Sequence, residues 1–328
     1  MDGRLAATAY GETIFLGRAT LLVNRFAGRA SRHAIAHVVA RLRLPDAAVF
    51  EVGCDGSARE IAARLAADRV PLVLAAGGDG TWHQALQALA GSATILAPVP
   101  LGTSNDLARH LGVPDDLDAW LAALPHAVSI PLDVLRFGRD RVATVGGLGL
   151  PAHVAADCAR LKQGRLRRAA QAVGGGIYSV LTTTRVARRG PRPVEATLQV
   201  DHGVCERLPV SALLVGTVAR FGGGLVLRPD GALEPGKFAA LVVTATTRRA
   251  VLDTLLRLRA GMPVGRHARR LLNVQRLDFR TDALIGAFGD GEWLGPRHRV
   301  TVTVERAALR VAVPGRAGSP HRISAESA

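Results

Sequence analysis

The stretch AAGGDGTWHQALQAL, residues 75–89, decides the fold. Three glycines and Asp79 lie between the apolar run Pro71–Ala76 and a segment with helical periodicity. Glycine permits positive φ angles and lets the backbone approach a ligand closely. The N-terminus of the following helix offers unpaired N–H groups and a positive dipole end to a phosphate. The alternative interpretation is a turn that only ends a strand, with Asp79 acting as a helix cap.

Strand and helix patterns alternate on both sides of this turn. Before it, Leu21–Val23 and Ala48–Val52 are predicted strands, and residues 31–43 carry apolar positions at helical spacing. After it, Thr94–Val99 is a further predicted strand, followed by a second glycine turn, PLGTSND. The alternation is typical of a doubly wound parallel sheet, in which ligands bind at the carboxyl ends of the strands. Both turns are therefore expected at the same edge of one sheet.

The composition is that of a globular protein with an excess of positive charge. Hydrophobic residues make up 48% of the 328 residues, enough for a sizeable core, and the length favours two domains. Lys and Arg outnumber Asp and Glu by 42 to 27, which favours a polyanionic ligand or surface. Three dispersed cysteines argue against disulfides and a cysteine zinc site, and they fit a reducing cytoplasm. Neither a signal-peptide pattern nor an apolar run of about 18 residues is present.

The pattern changes after about residue 128. Short β-like runs separated by turn residues predict an antiparallel sandwich or barrel, interrupted by helical character over residues 152–190. Near the end of this region lies a third turn, Gly289–Glu292, with the sequence GDGE. Taken alone, this segment is an Asp–Gly hairpin turn.

The three turns together resemble a known family. GGDGT, PLGTSNDLAR (100–109), FGGGLVLRP (221–229) and DGEWLGP (290–296) occur in the order and spacing of the diacylglycerol kinase catalytic-domain family of lipid kinases. The resemblance runs from about Ala19 to Pro314. It is strongest to the small bacterial diacylglycerol and phosphatidylglycerol kinases, with sphingosine and ceramide kinases more distant.

The resemblance implies an α/β plus all-β architecture. Its first domain would be a doubly wound parallel sheet like that of NAD kinases and phosphofructokinases, formed by residues 14–128 and by a returning last strand, residues 306–315. Residues 129–305 would form an antiparallel β-sandwich for the lipid substrate, with the active site in the cleft between the domains. Residues 316–328 are expected to be a disordered tail.

The resemblance also implies the residues of the site. ATP phosphates would be bound by the segment NRFAG (24–28) and by the first two glycine turns, through Asn24, Gly28, Gly77, Gly78, Asp79, Gly80, Thr81, Gln84, Gly102, Thr103 and Asn105. Asp290 and Glu292 stand where the family has its carboxylate base and its magnesium-linked acid, and Asp79 is the third catalytic candidate. A carboxylate can accept the proton of a lipid hydroxyl, and Mg²⁺ prefers oxygen ligands. Which of Asp290 and Glu292 is the base stays open.

Several positions depart from the family pattern. Gln84 stands where the family commonly has glutamate, and Pro151 stands where it often has aspartate. The bacterial enzymes hold a structural magnesium with an Asp–Gly turn. Here Pro235–Gly236 occupies that turn, which argues against the metal and leaves the adjacent Glu234 as its candidate ligand.

The sequence therefore predicts an ATP- and Mg²⁺-dependent lipid kinase that phosphorylates a hydroxyl of a diacylglycerol-like or other long-chain lipid. One alternative is an NAD kinase-like phosphotransferase, against which PLGTSND and the late DGE argue. Another is a catalytically weak nucleotide-binding regulator derived from the kinase fold, which the departures at Gln84, Pro151 and Pro235 support. A nucleic-acid partner is not expected, because only the net charge favours it and no RNA- or DNA-binding motif is present.

The surroundings of the site carry further expectations. The basic segment from Arg160 to Arg192 is either a solvated helical surface or a surface that docks on anionic lipid, with Arg165, Arg167 and Arg168 as candidate contacts. The second interpretation predicts a cytoplasmic protein, peripheral to the inner face of the membrane. His83 is predicted at the rim of the nucleotide turn. The oligomeric state, a homodimer included, stays open.

Overall fold

The structure, a computed structural model, describes residues 12–14, 16–103, 105–163, 177–222, 224–228 and 233–315. These residues form an α/β region with parallel strands, followed by a region dominated by antiparallel strands. The fold class predicted from the sequence is therefore confirmed. The segment predicted as a disordered tail lies outside the described residues.

Strands and helices alternate in the first region. In chain order they are β1 Glu12–Thr13, β2 Ala19–Val23, α1 Arg32–Leu42, β3 Val49–Glu51, α2 Ala58–Ala67, β4 Leu72–Gly77, α3 Asp79–Leu89, β5 Ile95–Pro100, α4 Asp106–His110 and α5 Leu117–Ala123.

The parallel strands have the order β3–β2–β4–β5, and helices cover both faces of the sheet. Helix α2 packs against α3, and α1 contacts α5. For this strand order, right-handed crossovers place α1 on one face of the sheet and α2 and α3 on the other. Gly77 at the end of β4 is paired with Pro100 at the end of β5. The two glycine turns therefore leave neighbouring strands at the same edge of the sheet.

The second region contains longer strands and three helices within the described ranges. In chain order its elements are β6 Val128–Phe137, β7 Asp140–Val142, β8 Val145–Gly149, α6 Leu150–Gln163, α7 Ile177–Arg189, β9 Val194–Val200, β10 Glu206–Val210, β11 Ala212–Gly216, β12 Arg220–Phe221, β13 Leu225–Val226, β14 Phe238–Val243, α8 Arg248–Ala260, β15 Ala268–Val274, β16 Arg276–Gly289 and β17 Glu292–Val313. Antiparallel neighbours follow the order β15–β14–β11–β8–β16–β17, and β9 also pairs with β16.

Strand β17 belongs to both regions. Its first part pairs with β16, while near its end Arg310 and Val311 pair in parallel with β5. A register shift between Glu305 and Leu309 separates the two parts, and Ala307 there adopts a positive φ of 50°. The carboxylate of Asp133 accepts a hydrogen bond of 2.8 Å from the Ala307 N–H, which holds this irregularity in place. The last part of β17 thereby completes the first hydrophobic core, to which Leu309 belongs.

Over the described ranges, no helix combines the length and apolar character that crossing a membrane would need.

Leu309→Ala tests the contribution of the last part of β17 to the first core. The side chain is 0% exposed, so its truncation should lower the free energy of unfolding by about 2–5 kcal/mol. Urea unfolding measures the loss. Leu284→Ala is the matched control, because Leu284 is 62% exposed and its truncation should change stability by less than about 0.5 kcal/mol. Equal effects of the two substitutions would contradict this packing.

Candidate active site

The two glycine turns that leave β4 and β5 are in direct contact. A Cβ atom on Gly78 would lie 2.9 Å from the Cα atom of Gly102, and one on Gly102 would lie 2.5 Å from the Cα atom of Gly78. Both distances are shorter than real Cβ atoms show to other heavy atoms, so only glycine at both positions allows the two turns to approach this closely. The Leu101 N–H also donates to the Gly77 carbonyl at 2.8 Å. The turns therefore form one continuous backbone surface at the sheet edge.

Asp79 is the first residue of α3, directly after Gly78, which is the N-cap. Its Oδ1 accepts a hydrogen bond of 3.3 Å from the N–H of Leu107, in the first turn of α4. The carboxylate thus joins the first glycine turn to the helix that follows the second. The alternative in which Asp79 only caps a helix is correct in one respect, since it does accept a helix N–H, but that helix is α4.

The NRFAG segment and Arg29, the residue that follows it, contact the two turns. The Asn24 side-chain amide donates to Thr81 Oγ1 at 2.9 Å. Arg29, which follows Gly28, donates from Nε to the Gly102 carbonyl at 3.0 Å. The structure therefore brings the three predicted phosphate-binding segments together.

The remaining predicted binding residues differ in exposure. Asn105 is 1% exposed, has a positive φ of 50° and donates from Nδ2 to the Gly102 carbonyl at 3.2 Å. Thr103 is half-buried in the second turn. Gln84 is exposed on α3. Asn105 is therefore a buried residue that hydrogen-bonds within the second turn. Gln84 faces the solvent.

Asp290 is held by four donors. Its Oδ1 accepts from the Thr144 N–H at 2.8 Å and from the Thr144 hydroxyl at 2.7 Å. Its Oδ2 accepts from the Ala143 N–H at 3.1 Å and from His83 Nδ1 at 2.9 Å. The residue is 9% exposed and adopts a positive φ of 51°. Since an ionised carboxylate offers about four lone-pair positions, the protein itself occupies all of them.

Glu292 approaches the first turn of α3 from the antiparallel region. A Cβ atom on Gly80 would lie 2.5 Å from Glu292 Oε1, so the missing side chain at position 80 makes room for this carboxylate. Asp290 reaches the same helix through His83, across a sequence separation of 207 residues. The structure therefore brings the DGE turn and the GGDGT turn together, although they belong to different regions of the fold.

The sequence-based prediction for His83 is wrong. The residue is 7% exposed and lies inside the fold, between Asp290 and Gln87 of α3. Gln87 in turn bonds to the backbone of Arg141 on β7, accepting from its N–H at 3.0 Å and donating to its carbonyl at 2.7 Å. The spacing of His83 and Gln87 places both on one side of α3, but their partners are distant in sequence and no local pattern indicates them.

The pKa of His83 lies above its usual value. Burial alone lowers it, because the charged imidazolium loses its hydration. The hydrogen bond to Asp290 and the negative charges of Asp290, Glu292 and Asp140 raise it by more.

An apolar pocket begins at Asp79, Asp290 and Gly291 and extends into the antiparallel region. It contains about 960 Å³ of empty space, part of which is open to solvent. One wall is a stripe of α8 at helical spacing, and the others come from α6, β8, β11 and β14; the stripe consists of Val251, Thr254, Leu255 and Leu258. The charged side chains among its described lining residues are the carboxylates Asp79, Asp106 and Asp290.

Pro151 also lines the apolar pocket, at the beginning of α6. The position where the family often has an aspartate therefore contributes an apolar surface here.

Glu234 lies apart from these carboxylates. Its Oε2 is 2.6 Å from the Lys237 ammonium group, so its charge is already compensated. Over the described part of the chain, no group of three or more His, Cys, Asp or Glu side chains has the arrangement of a metal site. A second carboxylate at this turn is that of Asp133, whose oxygens accept from the Gly236 N–H at 2.9 Å and from the Ala307 N–H at 2.8 Å.

Two family models match the chain. The model described as the diacylglycerol kinase catalytic domain matches residues 18–137. The model described as the YegS C-terminal NAD kinase beta sandwich-like domain matches residues 157–313. The chain belongs to the diacylglycerol kinase catalytic-domain family, as the motifs predict.

Individual relatives agree with this assignment. A diacylglycerol kinase of Mycobacterium tuberculosis is 27% identical over 256 residues, which cover 72% of this chain and 76% of the relative. A protein of Xanthomonas oryzae pv. oryzae named "Probable lipid kinase YegS-like" is 32% identical over 218 residues, 62% of this chain and 66% of the relative. The crystal structure of a diacylglycerol kinase from Bacillus anthracis str. Sterne has a TM-score of 0.64 at 17% identity, covering 89% of this chain and 95% of that chain. At this identity the structural likeness shows the fold alone.

His83→Asn tests the buried pair of His83 and Asp290. Asparagine keeps a donor near the position of Nδ1 but cannot carry the charge. Because the pKa of His83 is raised on folding, its protonation stabilises the folded state below the unfolded pKa of about 6.5, and this contribution is lost as pH rises through the folded value. The stability difference between wild type and variant should therefore be larger at about pH 5.5 than at about pH 8.5.

Urea unfolding at the two pH values provides the measurement. Gln84→Asn, at the exposed neighbouring position, is the control and should show no such trend. A difference for His83→Asn that is constant with pH, or that grows as pH rises, would contradict the pairing.

Proposed function

We propose that this protein transfers the γ-phosphoryl group of ATP to a hydroxyl of a diacylglycerol-like or other long-chain lipid. The observation that carries the proposal is the apolar pocket that begins at the carboxylates Asp79 and Asp290. A lipid whose chains occupy such a pocket would present its hydroxyl at the end where the glycine turns meet. Keeping apolar chains out of water is favourable by about 25 cal/mol per Å² of apolar surface, so an apolar pocket can hold chains that would otherwise stay in the bilayer.

The same pocket argues against an NAD kinase-like activity. A dinucleotide acceptor carries a pyrophosphate, which needs cations or N–H donors where it is bound. Among the described residues that line the pocket, none is Lys, Arg or His. A pyrophosphate in this apolar space would lose its hydration without compensation, whereas an acyl chain has no hydrogen bonds with water to lose.

The glycine turns provide the site for the donor phosphates. The contact of Gly78 with Gly102 leaves an uninterrupted backbone surface at the N-terminus of α3, where N–H groups and the helix dipole favour negative charge. Asn24, Thr81, Thr103 and Asn105 border this surface, and we assign to it the ATP phosphates.

The contacts of the carboxylates separate their roles. Asp290 has its four lone-pair positions occupied by protein donors, so we infer that it positions the turn that carries Glu292. Glu292 then remains as the base. It takes the proton of the lipid hydroxyl while the lipid oxygen forms a bond to the γ-phosphorus, the bond to the β–γ bridging oxygen breaks, and ADP leaves.

Asp79 is the carboxylate that fits a magnesium ion best. It lies at the phosphate surface, where Mg²⁺ is usually held by one or two carboxylates together with substrate phosphates and water. The ion would neutralise charge on the transferred phosphoryl group. This assignment differs from the expectation that Asp290 and Glu292 hold the metal, because the oxygens of Asp290 are fully engaged.

Work at a membrane surface follows from the substrate class. Long-chain lipids reside in bilayers, and the chain carries a net charge of +15, which favours anionic membranes. We therefore propose a cytoplasmic protein, peripheral to the inner face of the membrane. Arg165, Arg167 and Arg168, the candidate contacts named from the sequence, lie outside the described residues.

Leu255→Trp tests the lipid pocket. The substitution adds bulk to the pocket wall, so the KM for a long-chain lipid should rise about tenfold or more while the KM for ATP stays unchanged. Steady-state kinetics with lipid in detergent micelles measures both constants. Leu256→Trp is the matched control, since Leu256 is the next residue of α8 and is 68% exposed. Equal lipid KM values for the two variants would contradict the assignment of the pocket.

Glu292→Gln tests the base. Turnover should fall by about 10²-fold or more, because the amide cannot accept the hydroxyl proton, while ATP affinity is retained. Nucleotide binding is measured by calorimetry and turnover with labelled ATP. Near-normal turnover in the variant would eliminate Glu292 as the base. A wild-type protein that binds ATP but phosphorylates no lipid would favour the nucleotide-binding regulator instead.

A further inference from the structure

One arginine bonds to three consecutive carbonyl groups of the second glycine turn. The backbone N–H of Arg29 donates to the Leu101 carbonyl at 2.7 Å. Its side chain donates from Nη2 to the Pro100 carbonyl at 3.1 Å and from Nε to the Gly102 carbonyl at 3.0 Å. The remaining nitrogen, Nη1, donates to the Asp115 carbonyl at 3.2 Å, in the loop between α4 and α5. A single residue of the loop between β2 and α1 therefore fixes the direction of three successive peptide groups at the end of β5.

The direction of these carbonyl groups determines the direction of the N–H groups. In a trans peptide, the N–H of the next residue points opposite to the carbonyl. Among the described residues, no peptide bond is cis. Leu101 shows the consequence, because its N–H donates at 2.8 Å to the Gly77 carbonyl of the first glycine turn, on the side away from Arg29. The same geometry directs the N–H groups of Gly102 and Thr103 away from Arg29.

Arg29 also places a positive charge behind the second turn. Its side chain is about half exposed, and Asp115 Oδ1 lies 3.9 Å from Nη2, which is too far for a hydrogen bond. A hydrogen bond from a cation polarises the peptide group that accepts it, so the N–H on the opposite side becomes a stronger donor. Successive N–H groups that point to one side form a concave surface for anions.

We propose that Arg29 is a positioning residue for the ATP phosphates. By holding three carbonyl groups, it directs the N–H groups of Gly102 and Thr103 towards the phosphate surface. Arg29 itself contacts the carbonyl side of the turn, so it acts on the phosphates through the backbone. The inference rests on the proposed assignment of this surface to ATP. Lysine would not replace Arg29, because its compact ammonium group lacks the planar fork that reaches several carbonyls.

Arg29→Lys and Arg29→Gln test the proposal by binding alone, without catalysis. Lysine keeps the charge and glutamine keeps an amide donor, but neither can form the same set of side-chain bonds. Both variants should raise the dissociation constant for ATP about tenfold or more, because the turn loses hydrogen bonds from a charged group. Tripolyphosphate, which has neither base nor ribose, should lose affinity by the same factor. Calorimetry in the presence of Mg²⁺ measures both ligands.

Arg32→Lys and Arg32→Gln are the matched controls. Arg32 is exposed at the start of α1, and no hydrogen bond in the described part of the chain joins its side chain to the second turn. These variants change the charge near the turn but leave its carbonyl groups bonded, so ATP affinity should stay close to that of wild type. In steady-state kinetics, Arg29→Lys should raise the KM for ATP and leave the KM for lipid unchanged. A general loss of structure would raise both constants.

Several outcomes would overturn the proposal. Unchanged ATP affinity in Arg29→Lys would show that charge alone is sufficient, and equal weakening by the Arg32 variants would show nonspecific attraction. Weakened ATP binding with unchanged tripolyphosphate binding would place the effect of Arg29 at the base or ribose. Reduced stability in urea with normal ATP binding would leave Arg29 a structural residue only. If Arg29→Gln does not fold, Arg29→Lys decides between these outcomes.

Failure of the proposed function gives a different result. Weakened binding of both ATP and tripolyphosphate by the Arg29 variants, in a protein that phosphorylates no lipid, would support the role of Arg29 and count against the lipid kinase activity.

Discussion

The contact between Gly78 and Gly102 is the constraint on which the candidate site depends. Two parallel strands end side by side, and the turns that leave them approach so closely that neither position can carry a side chain. Asp79 accepts a hydrogen bond from the first turn of α4, Asn24 donates to the first glycine turn, and Arg29 donates to the second. Position 80 also requires glycine, because Glu292 of the antiparallel region occupies the space where a side chain of residue 80 would lie.

Strand β17 determines which parts of the second region reach that surface. It starts at Glu292, continues as a partner of β16, and ends beside β5 within the parallel sheet. The DGE turn is therefore fixed at one end of a strand whose other end is part of the first core. The hydrogen bonds of Asp290 to Thr144 and His83 add a direct connection between the turn, the start of β8 and helix α3. In the proposed reaction, carboxylates from the two regions act on one phosphoryl group.

The sequence predicts the features that depend on local pattern. The β–α alternation, the strand-to-helix position of Asp79 and the antiparallel second half follow from periodicity and turn residues, and the motifs identify the family. Features that depend on distant partners are not predictable in this way. His83 looks like a rim residue until Asp290 is known to lie beside it, and Asp290 and Glu292 look equivalent until their donors are counted. Helix α8 is a different case. The apolar spacing of Val251, Leu255 and Leu258 is visible in the sequence, but only the structure shows that these side chains form a wall of the apolar pocket.

The central claim is that the apolar pocket accepts the chains of a lipid whose hydroxyl receives the phosphoryl group. The most direct measurement supplies labelled ATP and Mg²⁺ together with a panel of hydroxyl-bearing lipids in detergent or anionic vesicles, and with NAD in a parallel reaction. The account predicts that label enters the solvent-extractable fraction with at least one long-chain lipid and not the NAD fraction. Label in NAD, or bound ATP with no transfer to any lipid, would contradict it.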